Sequence, residues 1–582
     1  MLSKLSECKA EIKKRKFITE QGHVFPKTAV VSFSKPDKMG KTIELFGYLE
    51  AEEIYGLIKK NKEINLDNCY IDKFSLSEYR SIYNLDKKDY VKIKSLSARN
   101  AFFNTDSKID FSFADFENGN ISFENSCFAN GDLSFNSSYF GEGNVNFSYT
   151  SFNCAIIDFA NTVFDKGDLS FKNSIFSKGI KDFQYADFGS GNVSFANTEF
   201  NDGDVSFINC VFHNGDVSFK VARFGNGKKD FHYSKFNDCD ISFERAEFGD
   251  GRVDFRTVEF NHVKVNFNRA IFGHGGITFE ACELKSGKFN FKKVMAGEGG
   301  LDFSSADFAN AEVYIDGSEF GKGSLNFYNS KFTRLSLKSC HLDHYIDLRL
   351  AKASYVDLSD TIVRDIIDLK PYDFKVDIKT INFVGMRLIG RIYLSWNNNR
   401  VKELIENQED TSERIKGEQF RTLKQNFNAT GQYNDEDKAY IMFKRYESKA
   451  ELHEAIENRK ISALWEYPAY GFKWLVLDKV GLYATAPGHV MISVIFVWFF
   501  FGIFFFIIQT LGLGKTTSSV GNPDHLSYLT QSFYHSAITF FTIGYGDVFP
   551  QGLSRLFSAI EGFVGLFMMS YFTVAFVRKI LR

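Results

Sequence analysis

Phenylalanine recurs in a strict 12-residue register from Phe111 to Phe332, with no insertion or deletion. In the series Phe111, Phe123, Phe135 and onward to Phe327, 18 of 19 positions are Phe, Ile315 being the exception. A second series, Phe116 to Phe332, holds Phe at 17 of 19, broken by Leu284 and Ala296. Two residues before the first series stand mostly aliphatics such as Ile109, Ile121, Leu133 and Val145. Two before the second stand small or β-branched residues: Ala114, Ser126, Ser138, Thr150, Thr162, Ser174, Ala186. A register this strict, in a chain with 66 Phe and 7 Pro, reads as a solenoid whose coils stack strands in parallel. Side chains alternate inward and outward along each strand. Recurring Gly-Asp and Gly-Asn pairs are expected to supply corners with φ > 0. Four faces make a coil of 24 residues, so the strict stretch gives about nine coils, and ~4.8 Å per strand predicts a rod roughly 45 Å long.

The Ala-Asp-Phe units at Ala114, Ala186 and Ala306 resemble those of pentapeptide-repeat proteins. That resemblance implies a right-handed parallel β-helix in which a small residue and a Phe or Leu point inward. Here the spacing alternates five and seven, so one face in two carries two extra corner residues. Looser flanks (64–74 and 335–394) extend the β-helix to residues 63–396, and residues 1–62 are expected to form an N-terminal segment with a helical cap at 48–60. Eight Cys fall before residue 341 and none forms a Cys-x-x-Cys pair. They read as buried, reduced thiols in slots of the repeat rather than as metal ligands.

After 397 the composition turns helical. Helices over 412–429 and 435–458, stopped and started by Gly431 and Asn434, predict a hairpin connector (397–460) with Phe420, Leu423 and Phe427 facing Tyr440, Phe443 and Tyr446. Trp465, Tyr467, Tyr470, Trp474 and Tyr483 then cluster over 461–484, as in a helix lying at a membrane interface.

The last segment, 485–582, is of another kind. Residues 489–513 contain no Asp, Glu, Lys or Arg, and an apolar stretch of ~20 residues spans hydrocarbon as a helix. A second apolar stretch runs from about 553 to 577, with Glu561 its one acidic residue. Between them come a polar turret (512–526), a short helical pattern (527–541) and the loop Thr542-Ile543-Gly544-Tyr545-Gly546-Asp547. Non-helical backbone at membrane depth is tolerated only where protein buries it or it lines an aqueous cavity.

The segment SFYHSAITFFTIGYGDVFPQG, followed by SRLFSAIEGFVGLFMMSYF, resembles the pore domain of two-transmembrane tetrameric potassium channels. The resemblance implies that Thr542, Ile543, Gly544 and Tyr545 present potassium-binding carbonyls, the Thr542 hydroxyl adding the innermost site, while Gly546 and Asp547 cap the outer mouth. Gly565 matches the position of a hinge glycine in the inner helix, where glycine serves close helix packing equally well, and helical phase then turns Leu566, Met569 and Thr573 toward the cavity or gate. Glu561, an ionisable residue within a span, reads either as a functional group or as a structural carboxylate supporting the filter from behind. Some members carry a pore-helix Glu paired with the filter Asp; here Ile538 stands there, and Tyr534 or His535 is the expected partner of Asp547.

The basic residues Arg578, Lys579 and Arg582 after the second span place that end in the cytoplasm by the positive-inside rule. With two spans, and no apolar run after the basic residues at 13–16, the N-terminal part is expected there too. The whole then reads as a homotetrameric potassium channel of a bacterial inner membrane, with the lipid bilayer and potassium as partners. The β-helix is the expected site of regulation by a protein or small molecule not identified in the sequence. Net charge −2 argues against nucleic acid. Neither an enzyme site nor a cofactor is expected, and no arginine-every-third pattern marks a voltage sensor. A weakly selective cation channel and a membrane-anchored scaffold remain the alternatives.

Overall fold

The computed structural model describes residues 8–34, 41–457, 463–519, 521 and 525–581; Arg582, parts of the turret and the end of the second connector helix at Asn458 lie outside them. The chain divides into two compact units, Met1–Gln408 and Glu409–Arg582.

The first unit is a parallel β-solenoid with the predicted 24-residue coil: Val193 pairs with Val217, and Val217 with Ile241. Short strands fall into columns along the coil axis, one of them 13 strands long. Toward the C-terminal end the coil tightens to 21 residues, with Leu325 opposite Ile346 and Ile346 opposite Ile367. There the strands Asp307–Tyr314, Lys331–Ser336 and Lys352–Asp357 run on around a corner.

Phenylalanine makes the core by stacking on itself. One pair from each face shows the pattern: Phe200–Phe224, Phe183–Phe207, Phe188–Phe212 and Phe195–Phe219 lie with centroids 4.5, 4.8, 4.4 and 4.9 Å apart and planes within 5°. That separation is the strand spacing itself, so a parallel sheet places identical rings in register for offset stacking. Neighbouring columns meet edge to face, as in Phe195–Phe207 at 5.6 Å and 81°. The small slots serve the backbone. Ser138 Oγ, Thr150 Oγ1 and Thr198 Oγ1 donate to the carbonyls of Phe111, Phe123 and Phe171 at 2.8, 2.7 and 2.7 Å. Cys210 and Cys282 take the same slot, their Sγ atoms 2.9 and 2.7 Å from the carbonyls of Phe183 and Phe255. All eight Cys are free and only Cys8 is not fully buried. Burial pushes the Cys69, Cys127 and Cys340 thiols up to about 12, which leaves them unreactive as nucleophiles.

The corners meet the sequence expectation only in part: Gly131 and Gly203 have φ of 56° and 107°, whereas Gly119, Gly143, Gly167, Gly191 and Gly215 do not have positive φ. Positive φ falls regularly two residues after the first Phe series, at Asn161, Asn173, Asn197 and Asn209 with φ of 54–57°. The glycines of these corners also permit close approach. A Cβ at Gly167 would overlap the Gly143 carbonyl oxygen, and one at Gly215 the Gly191 carbonyl oxygen, in the coil before. The residue after each glycine then builds a ladder: Asn144 Oδ1 accepts Asp168 N–H at 2.9 Å, and Asp168 Oδ1 accepts Asn192 N–H at 2.8 Å.

Both ends of the solenoid are covered. At the start, helix α1 (Ala51–Lys59) forms where a cap was expected. Before it lie antiparallel strands Cys8–Lys13, Lys27–Ser34 and Lys41–Tyr48, which the sequence reading lacked. The last of these joins the first coil in parallel through Gly47 and Cys69, and α2 (Leu76–Ile82) follows. At the far end, α3 (Val401–Glu406) buries Val401, Leu404 and Ile405. Gln408 Nε2 and Asn399 Nδ2 donate to the carbonyls of Ile381 and Leu369 at 2.6 and 2.7 Å. Residues up to Gln408, expected in the connector, thus pack with the solenoid.

In the second unit, α4 (Glu413–Ala429) and α5 (Tyr433–Glu457) form an antiparallel hairpin closed by Gly431 at φ 71°. Its core holds Phe420, Leu423, Phe427, Ala439 and Met442, and Phe420 stacks on Tyr446 at 5.6 Å. Helix α6 (Ala463–Phe472) continues as a wide π-helical stretch, Lys473–Val480. Helix α7 (Pro487–Thr510), the short α8 (Tyr528–Phe540) and α9 (Ser554–Ile580) complete the unit; α7 and α9 are long and apolar enough to cross a membrane.

Two inward positions of the repeat hold lysine instead of an aliphatic residue, Lys181 and Lys229, both wholly buried. Lys181 Nζ donates to the Asp202 carbonyl at 2.8 Å, whereas Lys229 Nζ has no hydrogen-bond partner among the described residues. Burial, partly opposed by Asp250, Asp204 and Asp202, pushes the Lys229 ammonium down to about 8. With its folded value below the unfolded one, Lys229 destabilises the fold by a constant amount below pH 8. The penalty is relieved as pH rises from 8 toward the unfolded value of ~10.4. Lys229→Met, which removes an unpaired buried polar group costing about 1–3 kcal/mol, is expected to raise the melting temperature of the full chain at pH 7 and flatten its rise between pH 8 and 10. A lower melting temperature at pH 7, followed by circular dichroism, would contradict this.

Candidate functional site

The motif loop lies between helix α8 and the strand Val548–Gly552. Helix α8 starts with Ser527 Oγ accepting the Thr530 N–H at 3.2 Å, a side-chain N-cap. At its C-terminal end the chain peels away from the axis: Thr542 N–H donates to Thr539 O at 3.1 Å, and Ile543 and Gly544 N–H both donate to Ile538 O at 2.9 and 3.2 Å. Every second residue of the loop is then left-handed, with φ of 55° at Thr542, 63° at Gly544 and 77° at Gly546. Alternation of hand turns successive carbonyls to one side, and glycine is the residue that adopts it without steric cost.

Beyond the loop, Tyr534 Oη donates to Asp547 Oδ2 at 2.7 Å and Val548 N–H to Asp547 Oδ1 at 3.0 Å. His535, the other candidate partner, faces α9, its Nε2 2.8 Å from Ser558 Oγ. The turret is not wholly irregular: strand Gly514–Ser518 pairs antiparallel with Val548–Gly552, and Ser519 N–H donates to the Asp547 carbonyl at 2.8 Å. The Thr542–Gly546 loop is therefore braced by α8 before it and by this strand pair after it.

Behind the loop, α8 and α9 share a polar seam. Ser536 Oγ donates to Glu561 Oε1 and lies 3.2 Å from the Trp498 carbonyl, and Glu561 is wholly buried. A Cβ at Gly565 would overlap the Phe540 carbonyl oxygen, two residues before Thr542. So α9 meets α8 at Ser558, Glu561 and Gly565, one face of the helix at i, i+3, i+7. Leu566, Met569 and Thr573 are exposed. Ile538, where a Glu stands in some potassium channels, is buried and apolar. Ser536 and Ser558 were not singled out from the sequence; their signal is helical spacing, Ser558 falling three before Glu561 and seven before Gly565.

One group of metal-ligating type occurs among the described residues, Asp230, His232 and Asp254 on the solenoid. Its cation position is already filled. Lys228 Nζ pairs with Asp230 and lies 3.6 Å from Asp254 Oδ2, and Arg256 spans Asp254 with bonds of 2.8–3.2 Å. The arrangement is an ion-pair network that balances two buried carboxylates.

Residues 492–582 match the ion channel family. Two relatives, both named Protein LctB, are similar over part of the chain. The one from Bacillus caldotenax is 37% identical over 70 residues, 12% of this chain and 52% of the relative. The one from Geobacillus stearothermophilus is 29% identical over 112 residues, 19% of this chain and 77% of the relative. The chain thus spans about half the length of the first and over three quarters of the second. No solved structure matches the chain. The C-terminal unit carries a segment that matches the ion channel family and two helices long and apolar enough to cross a membrane, and the N-terminal unit is a β-solenoid.

The Gly565 contact separates two roles for that residue. If glycine serves only as a hinge, Gly565→Ala strengthens α9 by up to ~1 kcal/mol through helix propensity. Close packing on the Phe540 carbonyl predicts the reverse, a loss of about 1–3 kcal/mol from overpacking. Thermal melting of the Gly565→Ala channel in detergent is expected to show the loss; a raised melting temperature would favour the hinge.

Proposed function

We propose that this protein is a potassium-selective channel, in which four copies each contribute one Thr542–Gly546 loop to a shared filter. Potassium sheds its hydration shell against the carbonyls of Thr542, Ile543, Gly544 and Tyr545, and ions in adjacent sites displace one another through the pore. The observation that carries this reading is the alternation of left-handed residues at Thr542, Gly544 and Gly546 at the end of a short helix. It is the backbone form in which consecutive carbonyls can replace water around one ion. The C-terminal end of α8 adds a favourable partial negative charge for a cation. Asp547 and Tyr534, held together at the outer mouth, and Glu561, bonded to Ser536 behind it, act as filter support.

In this reading both chain ends and the solenoid lie in the cytoplasm of a bacterial cell. Arg578 and Lys579 follow the second span, in keeping with the positive-inside rule. Trp465, Tyr467, Phe472, Trp474 and Leu475 are exposed along α6 and its continuation, as suits a helix resting at the headgroup level. The solenoid is the regulatory part, a scaffold for a protein or small-molecule partner, and transport is passive.

Reconstitution of the full chain in liposomes tests the reading. Potassium flux is expected in wild type and absent in Gly544→Ala, where a Cβ disfavours the left-handed backbone. Bi-ionic reversal potentials are expected to show strong preference for potassium over sodium. Equal permeability would make it a weakly selective cation channel, and absence of flux in both proteins would leave a membrane-anchored scaffold.

A further inference from the structure

Helix α9 is held at both ends by side chains from other elements. At its start it packs along α8 through Ser558, Glu561 and Gly565, immediately behind the filter loop. At its end, Arg578 and Lys579 converge on one carboxylate, Asp437 of the connector helix α5. Arg578 Nη2 lies 3.4 Å from Asp437 Oδ1 and Lys579 Nζ 3.1 Å from Asp437 Oδ2. The Arg578 guanidinium also sits 4.5 Å above the Tyr440 ring and donates to the Tyr483 carbonyl at 3.1 Å. Lys579 reaches Asn434 Oδ1 as well, at 3.2 Å.

Several features raise this contact above an ordinary surface ion pair, which is worth ~0–1 kcal/mol. Asp437 is only 7% exposed, so little water competes with the two cations that face it. The guanidinium is fixed on three sides at once, by carboxylate, ring and backbone carbonyl, which limits its freedom to re-pair. The contact also joins residues 141 apart, linking the second helix of the connector hairpin to the last turn of α9. The same connector helix grips the segment before the first span: Arg445 binds both oxygens of Asp478 at 2.8–3.0 Å, and Lys473 Nζ lies 2.5 Å from Glu451. Helix α5 therefore holds the approach to α7 and the end of α9 together.

We propose that Asp437 is a positioning residue for conduction: through Arg578 and Lys579 it fixes the end of α9, so that displacement of the connector hairpin moves α9 and, through Glu561 and Gly565, the helix that supports the filter. This rests on the channel reading given above. A ligand or partner acting on the solenoid would then reach the pore through the connector.

Single-channel recording of the full chain in planar bilayers, at fixed voltage and ionic strength, tests the proposal. Asp437→Ala is expected to change open probability about tenfold, within the range of coupling free energies between linked sites. Arg578→Ala/Lys579→Ala is expected to change it in the same direction, and the triple variant no further than either. Asp437→Glu is expected to restore the wild-type value, which a loss of general stability would not do. Asp437→Asn, nearly isosteric, covers the case in which the alanine variants fail to fold, with melting temperature and size-exclusion elution as controls. Open probability within twofold of wild type in folded Asp437→Asn and Arg578→Ala/Lys579→Ala channels would overturn the proposal. Wild type without potassium current would instead overturn the channel reading itself.

Discussion

A backbone carbonyl removed from water must find a donor, and each part of this chain meets that requirement in a different way. In the solenoid no coil can do so alone. The N–H of Phe195 donates to Ser218 O and that of Phe219 to Ser242 O, each to the next coil, so the ladder is complete only where another coil follows. The two ends therefore need special treatment, and the structure supplies it with an added antiparallel sheet at one end and with Asn399 and Gln408 at the other. In the membrane segments the helices satisfy their own carbonyls. The Thr542–Gly546 loop is the exception, a short run of backbone outside helix and sheet in which left-handed residues recur at every second position.

What was legible in the sequence follows from how local each constraint is. The Phe register announces the coil because stacking repeats one environment at every coil, so each Phe carries the same information. The hairpin of α4 and α5 was legible for a similar reason, since Gly431 and the apolar faces of both helices lie within one stretch of chain. The N-terminal strands were not: Lys27–Ser34 and Lys41–Tyr48 pair only with each other, Cys8–Lys13 and a single edge of the first coil, with no period to betray them. The glycine corners were legible only in part, with positive φ at Gly131 and Gly203. Their recurrence was visible, but glycine answers equally to positive φ and to close approach. Only the position of Gly143 O beside Gly167 decides between the two.

The candidate site divides in the same way. The loop residues and their brace Asp547 are contiguous, and the choice of Tyr534 over His535 turns on which face of α8 looks toward Asp547 and which toward α9. Ser536, Ser558 and the Gly565–Phe540 contact join two helices, so helical phase alone could suggest them without naming partners. The turret was read as polar without a strand, since Gly514–Ser518 lacks the alternating hydrophobicity of a half-buried strand. It pairs antiparallel with Val548–Gly552, a segment 30 or more residues further along the chain.

Stiffness is the property that separates these parts mechanically. Rings stacked at strand spacing on four faces, with every coil hydrogen-bonded to the next, leave the solenoid few soft modes within itself, because a local opening breaks several columns together. The second unit is built differently. Its connector turns at Gly431, its interfacial helix contains the wide stretch Lys473–Val480, and the left-handed residues Leu482, Tyr483 and Ala484 precede α7. Such breaks are where a helical assembly bends. Displacement is thus concentrated in the segments flanking α7, while Asp437 and Arg445 decide which of those segments move together.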